Sequence, residues 1–338
     1  MEIKQALVSY RRKQLSFRRS LALTIVTIIM LTLVSMFVGR YPTPGFSFGN
    51  DELLQSIIIE IRLPRIIMAI MGGAMLGAAG FTFQLLFANP LVEPGFLGIS
   101  QGASFGAALV IVSLGYVPLL VQASATVFGL SALIISYRLA RIFKFGGWIL
   151  RLILSGIAVG AFFSSGLSII KLAAEPSSSL QDITFWMMGG LYNSTWSNIY
   201  YVIPIVLVVL LILIAVRWRL NVLSLDDRIA HSLGTSASKE KLVLLFLATV
   251  GTTTVVSVSG IVGWIGLIVP HIARKFFGTD ARYSLLGSMC IGSLFMLLCD
   301  TIARTLLSGE IPLGVLTSLL GTIVFIILLS GKRTGAWL

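Results

Sequence analysis

Charged residues are scarce in this chain. Aspartate, glutamate, lysine and arginine together make up 11% of its 338 residues, whereas 57% are hydrophobic. Soluble domains carry about a quarter charged residues, so an ordinary soluble fold is excluded. With a mean hydropathy of +0.98, the composition predicts an all-α membrane protein that crosses the bilayer many times.

Residues that carry enzymatic or metal chemistry are also few. The 2 cysteines, Cys290 and Cys299, lie in one apolar segment, at a spacing that suits neither a disulfide nor a metal site. The 2 histidines, His231 and His271, are far apart, and the protease pattern H-E-x-x-H is absent. No G-x-x-x-x-G-K-[ST] loop is present. We therefore expect no enzyme, no ATPase site of its own, no metal and no bound cofactor.

Acidic residues are the rarer charged class, and the formal net charge is +12. In a soluble protein this charge would suggest a nucleic-acid partner. In a membrane protein it indicates basic cytoplasmic loops, so no nucleic acid is expected. The basic segment 1–20 precedes the apolar run 21–39, which is long for a signal peptide and lacks a small-residue cleavage site. Residues 1–20 are therefore predicted to be a cytoplasmic segment, and residues 21–39 the first span.

Charge-free runs predict the other spans, because about 20 apolar residues cross the hydrocarbon. The runs lie near 21–39, 66–88, 94–114, 117–137, 152–170, 199–216, 284–303 and 311–330. A further run, 242–270, is too long for one ordinary helix and too short for two full ones. Two short helices that meet near Ser259 and Gly260 keep most basic residues on the side of the N-terminus. This favours about ten spans with both termini in the cytoplasm.

The second span begins at a cationic mouth. Arg62 and Arg65 flank Pro64 directly before the charge-free segment 66–90, and they must face water or a partner because burying them is costly. The span itself carries small residues that allow close approach of neighbouring helices. These are Gly72, Gly73, Gly77 and Gly80.

Five short motifs follow one another along the chain. They are LPR at 63–65, FANPLVEPGFLG at 87–98, WMMGGL at 186–191, GLIVPHIAR at 266–274 and IPLGV at 311–315. In order and spacing they resemble the permease subunit of type II ABC importers, and the resemblance covers about 21–330. That family moves ferric siderophores, haem, vitamin B12 and, in some members, molybdate or tungstate.

The resemblance implies a single permease domain, 1–338, that works as a homodimer in the bilayer. Two copies of a cytoplasmic ATPase, which uses ATP and Mg²⁺, would bind one face, and a substrate-binding protein would dock on the other. It also implies a place in the inner (cytoplasmic) membrane.

Three arginines fall on the outer side in this topology: Arg62, Arg65 and Arg304. The resemblance implies that they receive acidic residues of the binding protein, since arginine pairs directionally with carboxylates. The alternative is that they only anchor helix ends at the headgroups. Asp300 lies four residues before Arg304 in an apolar span and is predicted to pair with it and orient it.

The loop 217–241 is the longest inside connection, and it resembles the family's coupling element, whose short helices lie in a cleft of the ATPase. The predicted coupling residues are Leu225, Asp226, Asp227, Arg228, His231 and Gly234. Carboxylates at 226 and 227 favour a helix N-terminus, and Gly234 would close the helix. Family members often have glycine and glutamate at positions 226 and 227. The alternative is that this polar loop is simply exposed to solvent.

The family encloses its pathway between two copies, chiefly with the fifth span. Here that span offers small, weakly polar residues, which suit a low-affinity passage. They are Ser155, Gly156, Gly160, Ser164, Ser165 and Ser168. The preceding turn, Phe145, Gly146 and Gly147, is predicted to be the cytoplasmic gate, although its glycines also fit an ordinary tight turn.

The leading prediction is therefore an importer permease for a metal chelate, foremost an iron complex such as a siderophore or haem. Molybdate, tungstate or vitamin B12 remain alternatives, because no residue cluster selects among these cargoes. An ion-driven secondary transporter would need paired carboxylates near mid-membrane, whereas Asp300 is nearly alone. A structural or sensory membrane protein would not need the long coupling loop.

Overall fold

Long apolar helices dominate the fold. The computed structural model describes residues 2–41, 45–46, 52–225 and 227–330, with side chains for all of these except 2–13, 227–228, 237–238 and 329. Within this part of the chain, seven helices are long and apolar enough to cross a membrane. Two shorter apolar helices, Ile99–Leu114 and Leu313–Leu328, accompany them. The predicted helical membrane protein is confirmed.

The helices have the following bounds in chain order: α1 (Glu2–Phe37), α2 (Glu52–Ser56), α3 (Leu63–Leu86), α4 (Ile99–Leu114), α5 (Pro118–Ile142), α6 (Trp148–Ala173), α7 (Ser179–Met188), α8 (Trp196–Leu223), α9 (Asp227–Ser232), α10 (Ala237–Ser259), α11 (Ile265–Phe277), α12 (Ala281–Thr305) and α13 (Leu313–Ser330). A π-helical segment, Ile57–Arg62, joins α2 to α3, and a 3-10 turn, Pro94–Leu97, precedes α4. Two short strands, β1 (Val38–Gly39) and β2 (Gly45–Phe46), pair antiparallel after α1.

Helix α3 is the centre of the bundle and is buried along most of its length. Its glycines allow this, as predicted. A side chain at Gly73 would overlap the carbonyl of Gly292 in α12, and one at Gly80 would overlap that of Gly266 in α11. The Ser293 hydroxyl also donates across the same interface to the Ile70 carbonyl at 2.8 Å. Close backbone contact lets van der Waals packing hold helices together in lipid, where the hydrophobic effect does not.

The long apolar run after residue 242 is broken where the sequence analysis placed the break. Helix α10 ends at Ser259, and Gly260 has a φ of +62°, a conformation that glycine adopts without strain. After the non-helical residues 261–264, α11 begins at Ile265. The chain therefore makes two helices of unequal length from one apolar run.

Several helix boundaries differ from the charge-free runs, and three of the differences have a clear cause. Helix α1 continues into the basic segment 1–20, since lysine and arginine are good helix formers. Helix α4 starts at Ile99 and not near 94, because Gly98 takes a φ of +76° directly before it. Helix α8 extends to Leu223, so that the connection predicted at 217–241 narrows to 224–236. Arg219 near its end pairs with Glu240 of α10 at 3.2 Å.

Candidate functional site

The start of α3 and the end of α12 share a cluster of buried charges. The Arg65 Nε atom lies 2.6 Å from Asp300 Oδ1, and its Nη1 atom donates to both Glu310 oxygens at 2.8 Å. Arg304 Nε lies 3.8 Å from the second Asp300 oxygen, which is the predicted pair one helical turn apart. The closer partner of Asp300 is thus Arg65, 235 residues away in sequence.

The other contacts of the cluster are main-chain carbonyls and one hydroxyl at the end of α1. Arg304 Nη1 donates to the Val38 carbonyl at 2.7 Å, and its Nη2 donates to Ser35 Oγ at 2.7 Å. Arg62 Nη1 donates to the Met36 carbonyl at 2.7 Å. These bonds tie α1, α3 and α12 together at one end of the bundle.

The three arginines of this cluster are buried in the single chain. The exposed fractions are 5% for Arg62 and, for the side chains, 6% for Arg65 and 8% for Arg304. Glu310, in contrast, keeps 45% of its side chain exposed. The surface of the cluster is therefore the Glu310 carboxylate, and the arginines lie behind it.

A cavity of about 590 Å³ lies beside α6 in the middle of the bundle. Of the residues predicted to form a pathway, Gly156, Gly160 and Ser164 line it. Ser155 is fully buried and is not in the lining, and its hydroxyl has no hydrogen-bond partner among the described residues. Ser165 and Ser168 are exposed, and their hydroxyls donate to carbonyls of α6 itself.

Glu93 and Gln101 also line this cavity, and the sequence analysis did not single them out. The Glu93 carboxylate accepts a hydrogen bond from the backbone N–H of Trp264, at the break before α11. Gln101 Oε1 is buried and has no partner within the described part of the chain. The available signal for Glu93 was a single carboxylate between two apolar runs, inside one of the five motifs.

The motifs meet next to the cavity. The Gly190 N–H donates to the Ser259 carbonyl at 2.8 Å, and the Leu313 N–H donates to the Gly189 carbonyl at 2.9 Å. A side chain at Gly314 would overlap the carbonyl of Met188. Three separate helix ends are thus joined by backbone hydrogen bonds, which satisfies polar groups that apolar surroundings would otherwise leave unpaired.

The predicted coupling segment forms a short exposed helix. Helix α9 packs through Ala230, which is fully buried, whereas Leu225, Ile229 and Leu233 are exposed apolar residues and His231 is exposed as well. Gly234 has a φ of +79° directly after the helix, as expected for its closing residue. Asp226 lies outside the described residues, as do the side chains of Asp227 and Arg228.

The predicted gate residues form the turn between α5 and α6. Gly146 has a φ of +60°, Phe145 is half exposed, and Gly147 precedes the first residue of α6. The Arg151 guanidinium donates to the Phe143 carbonyl at 2.6 Å and closes the turn. A backbone conformation of this kind favours glycine at position 146.

A polar contact joins the ends of α8 and α12 on the side of α9. Asn221 Nδ2 donates to Asp280 Oδ1 at 2.9 Å, while Asn221 Oδ1 accepts from the Ala281 N–H at 2.8 Å. Burial acts to raise the pKa of Asp280, but hydrogen bonds from Arg282 and Asn221 outweigh it and hold this pKa below its ordinary value. The charged carboxylate caps α12 by accepting the Arg282 N–H.

A bundle of apolar helices, with two helix breaks beside a central cavity, defines a helical membrane permease. The sequence matches the FecCD transport family over residues 24–331. The chain therefore belongs to the FecCD transport family, and it is the permease component of an ABC importer, as the five motifs predicted.

Individual relatives agree with this assignment. The molybdate import system permease protein MolB of Haemophilus influenzae is 32% identical over 91% of this chain and 94% of its own length. The probable iron chelatin transport system permease protein of Helicobacter pylori is 38% identical over 84% of this chain and 86% of its own. A solved structure described as an inward-facing conformation of a metal-chelate type ABC transporter superposes with a TM-score of 0.86. It shares 32% identity and covers 92% of this chain and 99% of its own.

Proposed function

We propose that two copies of this chain form the membrane passage of an ATP-driven importer for an iron complex such as a ferric siderophore or haem. The observation that carries the proposal is the wall of the central cavity on α6. Ile157, Ala161 and Ser164 line the cavity and are exposed in the single chain. Their spacing places them on one helix face, so the cavity is open on the side where a second copy completes it.

The proposed membrane arrangement uses ten helices. The seven long helices, the two shorter apolar ones and α11 together supply the ten membrane helices of the proposal. With both termini in the cytoplasm, α9 and the turn 145–147 share the cytoplasmic side, and the buried charge cluster lies on the outer side. The inner membrane is the proposed location.

The cargo proposal rests on the charge of the cavity. Its lining, all within the described residues, contains no lysine or arginine, and its one ionisable side chain is Glu93. A lining without cationic groups offers a small oxyanion such as molybdate no electrostatic attraction. The weakly polar lining suits a bulky chelate that must not be held tightly. The iron chelatin relative supports the same choice, and the molybdate relative keeps the alternative in the test.

The partners are assigned to the two ends of the bundle. The exposed apolar residues of α9 are proposed to enter a cleft of a separate ATPase, one copy for each permease chain, which would use ATP and Mg²⁺. The charge cluster is proposed as the docking site of a substrate-binding protein. Because Arg65 is already paired with Glu310, a docking carboxylate would have to displace Glu310 to reach it.

The geometry of Asp300 supports an importer over an ion-driven transporter. A coupling carboxylate needs to exchange an ion or a proton, whereas Asp300 is fully buried and lies 2.6 Å from one arginine and 3.8 Å from another. Removing a partner from such a pair is costly. Its contacts are those of a structural ion pair.

Reconstitution in proteoliposomes tests the function. The permease, its ATPase and its binding protein are assayed for uptake of a ferric chelate, haem, cobalamin and molybdate side by side. We expect ATP-dependent uptake of the iron complex. Uptake of molybdate would contradict the cargo, and accumulation under an ion gradient without ATP would contradict the importer mechanism.

A matched pair of variants tests the passage itself. Ala161→Trp places a large ring on the cavity wall and should abolish uptake. Phe162→Trp, at the adjacent residue, which is 72% exposed and not in the lining, should leave uptake intact. Equal uptake by both variants would show that α6 does not line the passage.

A further inference from the structure

A second cavity, of about 670 Å³, lies between α5 and α10 and shares no lining residue with the central cavity. Its walls are almost entirely apolar and include Ile134 of α5 and Phe246 of α10, both more than a third exposed. At one end the lining changes character and contains Arg138 and Arg141. The cavity is thus an apolar groove with two arginines at one end.

The two helices that form this groove also touch outside its lining. A side chain at Gly129 of α5 would overlap Thr253 of α10, so the helices touch there. Gly129 is close to the middle of the apolar span Pro118–Ile142. From Gly129 to Arg138 the helix rises roughly 14 Å, at about 1.5 Å per residue. Half of the hydrocarbon core is about 15 Å thick, so the groove spans one leaflet and the arginines lie at headgroup depth.

Aromatic neighbours fix the same depth independently. The Arg141 guanidinium carbon lies 5.9 Å from the centroid of the Tyr137 ring, and Tyr137 packs edge-on against Trp148 at 5.5 Å. Tyrosine and tryptophan are enriched at the membrane–water interface. The stacking also holds the Arg141 guanidinium at the mouth of the groove.

Neither arginine is paired with a carboxylate among the side chains that the structure describes. Both Arg138 and Arg141 are exposed. Glu240, in the first turn of α10, is paired with Arg219. The mouth of the groove therefore presents two positive charges next to an apolar surface that is one leaflet deep.

We propose that this groove binds an anionic phospholipid, with its phosphate between Arg138 and Arg141 and an acyl chain along Ile134 and Phe246. The arginines complement the charge of the phosphate, and the apolar wall complements the acyl chain. Basic pockets between membrane helices bind anionic headgroups, and a zwitterionic lipid would match the apolar wall but leave the net charge uncompensated. This site is independent of the cargo and of the docking surface.

Native mass spectrometry of the full-length chain, purified in detergent and titrated with phosphatidylglycerol or phosphatidylcholine of the same acyl chains, tests the proposal. We expect one phosphatidylglycerol to be retained per chain, with a preference over phosphatidylcholine of about ten-fold. Arg138→Gln with Arg141→Gln should remove the preference without removing apolar lipid binding. Arg138→Lys with Arg141→Lys should keep most of it.

Two further variants separate this groove from general surface charge. Arg217→Gln removes a positive charge from the end of α8, outside the groove, and should leave the preference unchanged. Ile134→Trp fills the apolar wall and should reduce retention of both lipids. The proposal is overturned by equal retention of the two lipids in the native protein, or by an unchanged preference in the double glutamine variant. Cross-linking of two copies through Phe246→Cys in a bilayer would likewise overturn it, since a second copy would then occupy the groove.

Discussion

The two ends of this permease differ in how their characteristic side chains are buried. At the end formed by α3 and α12, Arg65, Asp300 and Arg304 are buried and are paired with one another or with main-chain groups. At the other end, α9 is a short helix on the surface, with Ile229 and Leu233 exposed. A buried ion-pair cluster resists rearrangement, because breaking it leaves a buried charge without a partner.

We propose separate tasks for the two ends on the basis of this difference. A rigid end suits a partner that must recognise a fixed surface, and an exposed apolar helix on a short connection suits a partner that moves it. Changes in the charge cluster should therefore act mainly on stability, and changes in α9 should act on coupling.

The largest effect is expected from Asp300→Asn. The substitution leaves Arg65 with one carboxylate and Arg304 with none, and it should lower the free energy of unfolding by about 3 kcal/mol. The measurement is equilibrium unfolding in mixed detergent micelles. The double variant Asp300→Asn with Arg65→Gln should cost less than the sum of the two single variants, because they share one interaction. A loss below about 0.5 kcal/mol, the value of a surface pair, would contradict the buried cluster.

The second largest effect is expected in α9, at the opposite end of the bundle. Ile229→Asp places a charge on the exposed apolar side of α9 and should reduce stimulation of the ATPase by the permease about ten-fold, as loss of a central interface residue does. Stability should be unchanged, since Ile229 is 52% exposed. Ser236→Asp adds the same charge in the same connection and serves as the control. Full stimulation in the Ile229 variant would show that α9 does not couple.

A smaller effect is expected from Asp280, which caps α12. Asp280→Ala should cost about 1 kcal/mol at pH 7 through loss of the cap. Because hydrogen bonds hold the pKa of this carboxyl below its ordinary value, its charge stabilises the fold above the unfolded pKa of about 3.9. That contribution is lost as the pH falls through the lower, folded pKa.

Asp280→Asn separates the two contributions, since asparagine caps a helix but does not titrate. Its stability difference from the native protein should therefore shrink when the pH is lowered below about 4. Unfolding curves recorded between neutral and acidic pH test this. A difference that stays constant with pH would show that the charge of Asp280 has no stabilising role.

Much of the fold could be predicted because the determining signals are local. The break at Ser259 and Gly260 follows from the length of one apolar run and the sign of the neighbouring charges. Gly234 ends α9 through its own backbone conformation, and Gly73 allows close packing because it lacks a side chain. The helix end at Gly234 depends on a few neighbouring residues, whereas the break at Ser259 also depends on the distribution of basic residues along the chain.

The charge cluster could be predicted only in part, because its closest pair joins residues far apart in sequence. The pair of Asp300 with Arg304 follows from helical spacing, whereas the shorter contact with Arg65 depends on how α12 packs along α3. Helix ends were underestimated for a related reason. The length of a charge-free run reflects the thickness of the hydrocarbon core. Helix α8 continues beyond its charge-free run, and there Arg219 forms an ion pair with Glu240.

The smallest effect tests the exposed edge of the cluster. Glu310→Gln removes the half-exposed carboxylate that holds Arg65 Nη1 and keeps the shape of the side chain. If a carboxylate of the binding protein displaces Glu310 on docking, the variant should bind about three-fold more tightly, since a rim charge shifts affinity modestly. Glu60→Gln is the control, because Glu60 is an exposed acid near the same end of α3. Equal tightening in both variants would indicate only a general change of surface charge. Unchanged affinity for Glu310→Gln, measured by surface plasmon resonance on nanodiscs, would mean that the partner does not reach Arg65.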